Sequence, residues 1–360
     1  MTSPIAKAAV AWFRQHGRAL PWRQTRDPYR IWISEIMLQQ TQVATVIPYY
    51  SRFLERFPDV ASLAAASLDE VYLYWAGLGY YRRARQLHAA ANRIVEDHAG
   101  VFPNSYAAIA NLPGIGRYTA SAIASFAFDQ SRGIVEANTQ RLFARLMHLE
   151  LPIAAKDSQS QLWAFADGLV AKNNMGAGEI NQALMEIGSQ ICTPRMPQCE
   201  ACPLTQWCET QSRGSQTVIP VPKPPKVFTE LTEAALLVQN RRGLWLLRRC
   251  LATERWAGLW DFPRFDISNC TGHRQVLATL QSAFQERFGC PALIDDHVHS
   301  LKHSVTRYKI TLHCYRARWP TGSPKRLDTS EARWCSLDEI LGTPLSASGK
   351  RVAQWLQKPH

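Results

Sequence analysis

The chain has 360 residues, enough for two domains that each bury a core, and 46% of them are hydrophobic, which excludes extensive disorder. It carries 41 Lys and Arg against 29 Asp and Glu, a formal net charge of +12, with a pI near 9.4. This balance favours a polyanionic partner, most simply nucleic acid, although a basic surface that only confers solubility is the alternative. No apolar run approaches the roughly 18 residues that a membrane span needs, so we expect an intracellular protein and no membrane partner.

A carboxyl group in apolar surroundings is the first candidate in chain order. The segment DPYRIWISEIMLQQ predicts a helix with Asp27 as its N-cap and Pro28 at its first position. It places Glu35 among Trp, Ile, Met and Leu side chains and predicts Gln39 and Gln42 on the same helical face. Apolar surroundings raise the pKa of a carboxylic acid, which makes it a proton donor near neutral pH. The alternative is a Glu at a helix edge that pairs with a basic residue.

The segment PNSYAAIANLPGIGRYTASAIASFAF predicts two helices joined by a tight turn. The turn follows Leu112 and contains Gly114 and Gly116, which let backbone amides point outward at the start of the second helix, where a phosphate oxygen is favoured. An ordinary interhelical loop is the alternative. Because Arg117 follows the turn in a basic chain, we predict a helix-hairpin-helix contact with the DNA backbone, which positions a protein without reading sequence. The predicted DNA-binding residues of the hairpin are Leu112, Gly114, Gly116 and Arg117.

A second carboxyl group lies in IVEANTQRLFARL, where Glu136 and Asn138 precede a basic amphipathic helix. Glu136 is predicted either to face Glu35 across a cleft or to act as the N-terminal cap of the helix that follows it. The local sequence favours neither possibility over the other.

Four cysteines lie close together in CTPRMPQCEACPLTQWC, at positions Cys192, Cys199, Cys202 and Cys208. In a reducing compartment, clustered thiols favour a metal centre or a redox group over structural disulfides. A structural zinc site pairs its ligands about two to four residues apart, and only the two middle cysteines are that close. The wider outer gaps favour an iron-sulfur cluster, with zinc as the alternative. The other five cysteines are scattered and are predicted to be structural.

Residues 211–226, QSRGSQTVIPVPKPPK, contain four prolines and predict an extended, semi-rigid linker. It separates a helical domain, residues 1–210, from a smaller domain, residues 227–360. In the second domain EAALLVQN and GLWLLRRC flank a turn, RYKITLHCYRARW is strand-like, and QVLATLQSAFQERFG predicts an amphipathic helix. The sequence therefore predicts a multidomain fold, an all-helical domain followed by an α+β domain.

Six motifs in order resemble one known family. LPWR, SEIMLQQTQVATVIPYY, GLGYYRRAR, LPGIGRYTASAI, NQALMEIGSQIC and the cysteine loop are similar to the MutY family, the adenine DNA glycosylases of the endonuclease III superfamily. The resemblance is dense over residues 5–210. It implies a helix-hairpin-helix glycosylase domain with a 4Fe-4S cluster on the four clustered cysteines, and a C-terminal Nudix-like domain that recognises the mismatch. The implied substrate is double-stranded DNA with adenine opposite 8-oxoguanine or guanine, bound by a monomer in the cytoplasm, at the nucleoid.

The resemblance implies a role for each residue that matches a motif position. Glu35 matches the acid that protonates the adenine, Glu136 the carboxylate that stabilises the sugar cation, and Asn138 stands beside it. Tyr118 stands where bifunctional endonuclease III has a nucleophilic lysine, which implies a monofunctional enzyme that leaves an abasic site; Tyr118 is expected to position the cleaved sugar. The other matched positions are Gln40 and Tyr80, expected to enter the base stack, and Leu20, Trp22, Arg23 and Gln182, expected to frame the adenine.

The chain departs from the family at the second carboxylate. The family generally has Asp-Gly-Asn where this chain has Glu136, Ala137 and Asn138, so the side chain is one methylene longer and the glycine is absent. The extra reach, about 1.5 Å per carbon bond, is large against the tolerance of a catalytic group.

The C-terminal domain also departs from the family pattern. The family senses 8-oxoguanine through a Phe-Ser-His turn, and the stretch matched to it, HSVTRYKI, offers Val305, Thr306 and Arg307. Thr306 keeps a hydroxyl and Arg307 can bind phosphate, so both are predicted to contact DNA. Only Glu286 stands where a Nudix hydrolase needs several metal-binding carboxylates, so pyrophosphatase activity is not expected.

Two other functions remain open on the sequence alone. One is an endonuclease III-like glycosylase and lyase for oxidised pyrimidines, which Tyr118 in place of lysine disfavours. The other is a non-catalytic, cluster-containing protein that binds damaged DNA, which the departure at Glu136 keeps open.

Overall fold

Helices build the first part of the chain, and a mixed sheet builds the second. The structure, a computed structural model, describes residues 3–171, 174–222, 227–320 and 331–358. The chain divides into two units, Met1–Tyr74 with Arg83–Pro224 and Trp75–Arg82 with Pro225–His360. The division at Pro224 falls within the segment predicted as a linker.

In the first unit, the described residues form helices and loops without strands, and two short 3-10 turns lie at Pro21–Arg23 and Thr205–Trp207. No helix among the described residues of the chain is both long enough and apolar enough to span a membrane. The helices are α1 (Pro4–His16), α2 (Pro28–Leu38), α3 (Val43–Arg56), α4 (Val60–Ala65), α5 (Leu68–Trp75), α6 (Arg82–His98), α7 (Tyr106–Ala110), α8 (Arg117–Phe128), α9 (Ala137–Leu146), α10 (Lys156–Val170), α11 (Ala177–Gln190) and α12 (Glu209–Ser212).

Helix α2 begins as the sequence predicts. The side chain of Asp27 accepts hydrogen bonds from the backbone N–H groups of Tyr29 and Arg30, and Pro28 occupies the first helical position. The cap satisfies donors that the first turn of a helix leaves without partners. All positions from Ile31 to Met37 are buried, which reflects the packing of α2 against α3 and α8.

The predicted turn between two helices is present between α7 and α8. Gly114 has a φ of 76°, and a Cβ atom at this position would lie 2.5 Å from Cβ of Gln86, so the turn requires glycine here. Gly116 has an ordinary φ of −92° as the N-cap of α8, and a Cβ atom there would meet nothing within 4 Å. Only the first of the two glycines is therefore required by the backbone.

Part of the predicted linker is folded against the helices instead of extended. The side chain of Ile219 is buried, and its carbonyl accepts a hydrogen bond of 2.9 Å from Arg145 Nε. The carbonyl of Val221 accepts one from the N–H of Ile153 at 3.4 Å. Burial of apolar side chains overrides the preference of a Pro-rich segment for an extended, solvated chain.

The described residues of the second unit form a seven-stranded sheet with the order β3-β2-β1-β6-β5, in which β4 pairs with β1 and β7 with β2. Strands β1 and β6 are parallel and the other pairs are antiparallel. The predicted strands and the predicted helix α13 are confirmed. The elements are β1 (Thr229–Gln239), β2 (Trp245–Arg249), β3 (Trp260–Asp261), β4 (Arg264–Asp266), α13 (His273–Phe288), β5 (Leu293–Val305), β6 (Tyr308–Arg318), β7 (Ala332–Cys335), α14 (Leu337–Leu341) and α15 (Ala347–Leu356).

Each face of this sheet has its own core. Leu280 and Phe284 of α13 pack with Leu236 of β1 on one face. Val352 of α15 packs with Leu237 of β1 on the opposite face. The alternation of side chains along β1 supplies both cores, as a strand covered on both faces requires.

Replacement of Gly133 by Ala is expected to lower the free energy of unfolding by about 1–3 kcal/mol, because a Cβ atom there meets packed backbone. That atom would lie 2.4 Å from the carbonyl carbon of Ala166 in α10. Gly168→Ala, on the same helix, is the matched control: a Cβ atom there meets nothing within 4 Å, and alanine favours a helix over glycine by about 1 kcal/mol. Urea unfolding, followed by tryptophan fluorescence, measures the stability of both variants. Equal urea midpoints for the two would contradict the prediction that a Cβ atom at position 133 destabilises the fold.

Candidate active site

A cavity of about 450 Å³ lies among the helices of the first unit. Its volume is that of a site for a small molecule or a single base. Helices α2, α8, α9 and α11 contribute to its wall, together with the segment before α2. The predicted catalytic and adenine-pocket residues all line it, namely Leu20, Trp22, Arg23, Glu35, Tyr118, Glu136, Asn138 and Gln182.

Glu35 lies in the middle of α2 and is 3% exposed. Burial raises the pKa of its carboxyl group, a hydrogen bond from Tyr118 lowers it, the charge of Glu136 raises it, and the charge of Arg23 lowers it. Burial is the largest of these effects, and the resulting pKa is about 7. The side chain is therefore protonated in a large fraction of molecules near neutral pH, which a general acid requires.

Tyr118 is the hydrogen-bond partner of Glu35. Its phenolic O–H donates to Glu35 Oε2 at 2.5 Å, and the pKa of Tyr118 is raised mainly by burial. The bond joins α2 to the first turn of α8, two helices that pack against each other. Glu35 thus does not pair with a basic residue at a helix edge, which was the alternative from the sequence.

Glu136 caps a helix, which is one of the two predicted possibilities, and it also lines the cavity. It is the N-cap of α9, and its carboxylate accepts hydrogen bonds from Asn138 N at 2.8 Å and Thr139 N at 2.9 Å. Burial raises the pKa of Glu136, and the two backbone donors act against that rise. Asp, Asn, Ser and Thr are the usual caps, and here the longer Glu side chain folds back onto its own helix.

Arg141 connects the cavity to the cysteine loop, and the sequence does not predict this role. Its Nη2 donates to Asn138 Oδ1 at 3.0 Å and to the carbonyl of Gly188 at 2.6 Å. Its Nε donates to the carbonyl of Cys192 at 2.6 Å. Arg141 follows Asn138 by three residues in the same helix, and this spacing is the one local signal for their contact.

Glu186 lines the cavity, and the sequence does not predict it as a site residue. It is fully buried and accepts hydrogen bonds from Arg18 Nε at 2.6 Å and Arg23 Nη2 at 2.8 Å. Burial alone raises the pKa of Glu186, but the two arginines outweigh it and lower the pKa to about 2. Glu186 therefore carries a charge that fixes the orientation of Arg23. Its spacing of four residues from Gln182 on α11 is the only local signal for a place in the cavity wall.

Two exposed residues occupy the left-handed backbone region, which side chains other than glycine rarely adopt. Gln40 has a φ of 56°, and Tyr80 has a φ of 50° and is 55% exposed. Because α2 ends at Leu38 and Gln42 is the N-cap of α3, Gln42 does not lie on the helical face of Glu35. Gln39 does line the cavity, and its Nε2 donates to Thr119 Oγ1 at 3.3 Å.

The hairpin residues divide into a buried anchor and an exposed face. The prediction that the side chain of Leu112 contacts DNA is wrong, because this side chain is only 4% exposed and packs inside the fold. The guanidinium of Arg117 lies 3.9 Å from the ring centroid of Trp163 and 3.4 Å from Asp167 Oδ2. The N-cap of α8 is Gly116, which has no side chain to bind the first amides of the helix. These amides are therefore available to an anion.

The four clustered cysteines line one small cavity. Among the residues that the structure describes, no group of three or more His, Cys, Asp or Glu side chains is placed to hold a single metal ion. The guanidinium of Arg145 lies beside them, with Nη1 3.4 Å from Cys192 Sγ and bonded at 2.8 Å to the carbonyl of Thr193.

In the second unit Thr306 and Arg307 form the exposed tip of the hairpin between β5 and β6. Thr306 has a φ of 53°, and Arg307 Nη2 donates to the hydroxyl of Tyr308 at 3.0 Å. Near the tip, both ring nitrogens of His303 are buried without a hydrogen-bond partner among the described residues. Burial first, and three arginines after it, lower the pKa of His303 to about 4, a state that the sequence does not predict.

The fold and the cavity define a class of protein. Residues 33–166 match the model of the HhH-GPD superfamily of base excision DNA repair proteins, and residues 234–355 match a NUDIX domain. A solved structure of a thermostable thymine-DNA glycosylase is 29% identical, with a TM-score of 0.53 over 58% of this chain and 95% of that one. The protein is a DNA glycosylase, a hydrolase that acts on N-glycosidic bonds.

Two curated relatives identify the family. An adenine DNA glycosylase of Rattus norvegicus is 32% identical over 95% of this chain and 76% of its own length. One of Buchnera aphidicola is 36% identical over 73% of this chain and 75% of its own length. The chain belongs to the adenine DNA glycosylase family.

Tyr118→Phe is expected to move the alkaline limb of the pH–rate profile to higher pH. A general acid is active when protonated, so the rate falls as pH rises through the pKa of Glu35, about 7. The bond from Tyr118 favours the carboxylate, so its loss raises that pKa further. Single-turnover base release across pH 5.5–9, about two units either side of neutrality, measures the limb. Tyr106→Phe, the same change outside the cavity, is the control. An alkaline limb that does not move in Tyr118→Phe would refute the assignment of that limb to Glu35.

Proposed function

We propose that the chain is a monofunctional adenine DNA glycosylase that removes adenine mispaired with 8-oxoguanine or guanine in base excision repair. The observation that carries the proposal is a pair of carboxyl groups, the buried Glu35 and the half-buried Glu136, in a cavity of the size of a base. One is a hydrogen-bonded acid with a pKa of about 7, and the other is held at the N-terminus of α9. Carboxyl groups in different environments can divide the roles of acid and stabiliser between them.

The target adenine must first leave the duplex, which costs a few kcal/mol of stacking and pairing. Gln40 and Tyr80 are proposed to fill the space that it vacates. Both are exposed at turns with positive φ, where a side chain projects away from the fold. The helix-hairpin-helix turn, with Gly114, Gly116 and Arg117, is proposed to hold the phosphates while the base turns outward.

In the chemical step the bond between the sugar C1′ and the base nitrogen breaks, and its electron pair leaves with the base. Glu35 donates its proton to the ring nitrogen that faces the major groove, so that adenine departs as a neutral molecule. Glu136 is proposed to stabilise the positive charge that develops on the sugar. Water then adds to C1′ and loses a proton, which leaves an abasic site.

The lining of the cavity supports a monofunctional enzyme. A lyase needs an amine that attacks the sugar to form a Schiff base, and no lysine is among the described residues that line the cavity. Tyr118 occupies the motif position of that lysine, and its hydroxyl is bonded to Glu35.

The four clustered cysteines are proposed to hold a 4Fe-4S cluster. The four thiols line one cavity, and a 4Fe-4S cluster takes four cysteine thiolates as its ligands. The buried guanidinium of Arg145 also fits the net negative charge of such a cluster. When bound, the cluster would brace the loop Cys192–Cys208, and Arg145 would hold that loop to α9.

The second unit is proposed to recognise the base opposite the adenine. In this proposal residues 1–210 form the glycosylase domain, 211–226 connect the domains, and 227–360 form the recognition domain. Thr306 and Arg307 are proposed to contact DNA, since both are exposed at the tip of a hairpin. The net charge of +12 supports binding of a polyanion by a monomer.

Single-turnover assays on duplexes with adenine opposite 8-oxoguanine, guanine or thymine test the function. We expect adenine release only opposite the two purines, with strand cleavage only after alkali.

Glu35→Gln is expected to lower the rate of adenine release by at least about 10²-fold, because general acid catalysis typically contributes that much. Glu136→Gln removes the charge and is expected to slow release, whereas Glu136→Asp keeps both the charge and a good cap and is expected to retain activity. Tight binding without release from any duplex would favour the non-catalytic alternative, and cleavage without alkali would favour the lyase.

Cys199→Ser is expected to abolish the visible absorbance of the cluster and to lower the iron content and the affinity for DNA. Cys270→Ser, at a half-buried free cysteine of the second unit, is the matched control and is expected to leave the iron content unchanged. Stoichiometric zinc and unchanged visible absorbance in Cys199→Ser would refute the assignment of a 4Fe-4S cluster.

A further inference from the structure

A single guanidinium group closes the C-terminal end of the helix that carries Glu35. Arg83, at the start of α6, donates from Nη1 to the carbonyls of Ile36 at 2.8 Å, Met37 at 3.0 Å and Gln39 at 2.5 Å. Its Nη2 donates to Thr41 Oγ1 at 3.3 Å. All four acceptors lie at the end of α2 or in the loop that follows it.

The end of α2 needs these donors. The last carbonyls of a helix have no partner within it, and a glycine in the left-handed conformation commonly supplies the capping amides. Here the C-cap is Gln39, with ordinary values of −57° for φ and 113° for ψ. One of the carbonyls, that of Leu38, accepts the N–H of Thr41 at 3.2 Å, and Arg83 supplies donors to those on either side. A cation at this end of a helix is also favoured by the helix dipole.

The same contacts fix the loop of residues 39–41. Gln40, at its centre, has a φ of 56°, a conformation that persists for such a side chain only where the surroundings hold it. Arg83 binds the residue on each side of Gln40, at the carbonyl of Gln39 and the hydroxyl of Thr41. The loop and Glu35 both line the cavity, so one side chain of α6 determines how the loop leaves the helix of the acid.

The sequence around Arg83 gives no hint of this arrangement. In GLGYYRRAR the three closely spaced arginines are typical of a surface that binds phosphate. Arg82 is exposed, as such a contact requires, but Arg83 is half-buried and its guanidinium is turned inward. The two adjacent arginines therefore provide a matched pair, with the same charge and different roles.

We propose that Arg83 is a positioning residue for base extrusion: it holds the loop 39–41 in the conformation in which Gln40 can enter the base stack. The inference rests on the proposed function, since it assigns the loop to the extrusion of adenine. Arg83 itself touches no reacting atom, so its removal acts on extrusion before it acts on the chemistry at Glu35.

The test separates extrusion from bond cleavage. Extrusion is measured by the fluorescence rise of 2-aminopurine at the target position opposite guanine, with saturating protein carrying an intact cluster. Cleavage is measured as single-turnover adenine release from an A:G duplex and from a duplex in which the adenine is bulged and unpaired. The variants are Arg83→Met, Arg83→Lys and, as the control, Arg82→Met.

Arg83→Met is expected to lower the extrusion signal and to slow release from the A:G duplex by about 10–100-fold, the loss that follows from misplacement of a catalytic constellation by about 1 Å. Release from the bulged adenine is expected to change by less than about 3-fold, because that base needs no extrusion. Arg83→Lys, which keeps three donors and the charge, is expected to restore part of both losses. Arg82→Met is expected to weaken DNA binding but to leave the extrusion signal at saturation unchanged.

Two results would overturn the inference. One is an extrusion signal of Arg83→Met equal to that of the wild type, and the other is an equal loss of rate on both duplexes, which marks a general structural defect. If Arg83→Met does not fold, Thr41→Val takes its place, because it removes only the contact of Arg83 Nη2. The same losses are then expected, and the same two results would overturn the inference. A wild type that extrudes 2-aminopurine but releases no adenine refutes the proposed function, and the comparison between Arg83 and Arg82 still stands.

Discussion

The hydrogen bond between Tyr118 and Glu35 is the interaction on which the site depends. A carboxyl group buried in the middle of α2 carries a desolvation cost that rises if it ionises. Tyr118 supplies one donor, so the ionised state is not excluded, and the pKa settles near 7 instead of far above it. Glu136 is half-buried and accepts hydrogen bonds from two backbone amides at the N-terminus of α9. Two groups of the same chemistry thus acquire different tasks, because one is bonded to a neutral side chain and the other to a helix end.

Helix ends supply most of the fixed geometry around the cavity. The N-terminus of α9 holds Glu136, and Arg83 closes the C-terminus of α2. The start of α8, where no side chain caps the helix, carries Tyr118 in its first turn. Backbone groups at helix ends are rigid and have no partner within the helix, so they can bind a side chain without any rearrangement. A site built in this way lies on scaffold elements, which place functional groups more closely than free loops do.

The distance between partners along the chain explains what the sequence predicts and what it does not. Asp27, the hairpin turn, the sheet strands and the apolar surroundings of Glu35 depend on neighbours in sequence, and all are present as predicted. Glu186 is paired with Arg18 and Arg23, 168 and 163 positions away, and Arg83 reaches the end of α2 across 44–47 positions. No local pattern encodes such pairs, since an arginine in a basic run has the same sequence environment whether it faces solvent or a carbonyl. The segment before Pro222 was wrongly predicted as extended for the same reason, because the burial of Ile219 depends on helices far away in the chain.

The departure from the family pattern at Glu136 and Ala137 is compatible with the proposed chemistry on physical grounds. Ala137 is the first residue of α9 and is not among the residues with positive φ, so its backbone conformation requires no glycine. Alanine is also favoured over glycine within a helix by about 1 kcal/mol. The additional methylene of Glu136 is taken up as the side chain curls back, so that its carboxylate reaches the amides of Asn138 and Thr139. A shorter Asp at an N-cap satisfies the same amides from a backbone placed slightly closer. The charge therefore remains at the helix N-terminus in either case, and that position, more than the length of the side chain, determines whether it can stabilise a cation in the cavity.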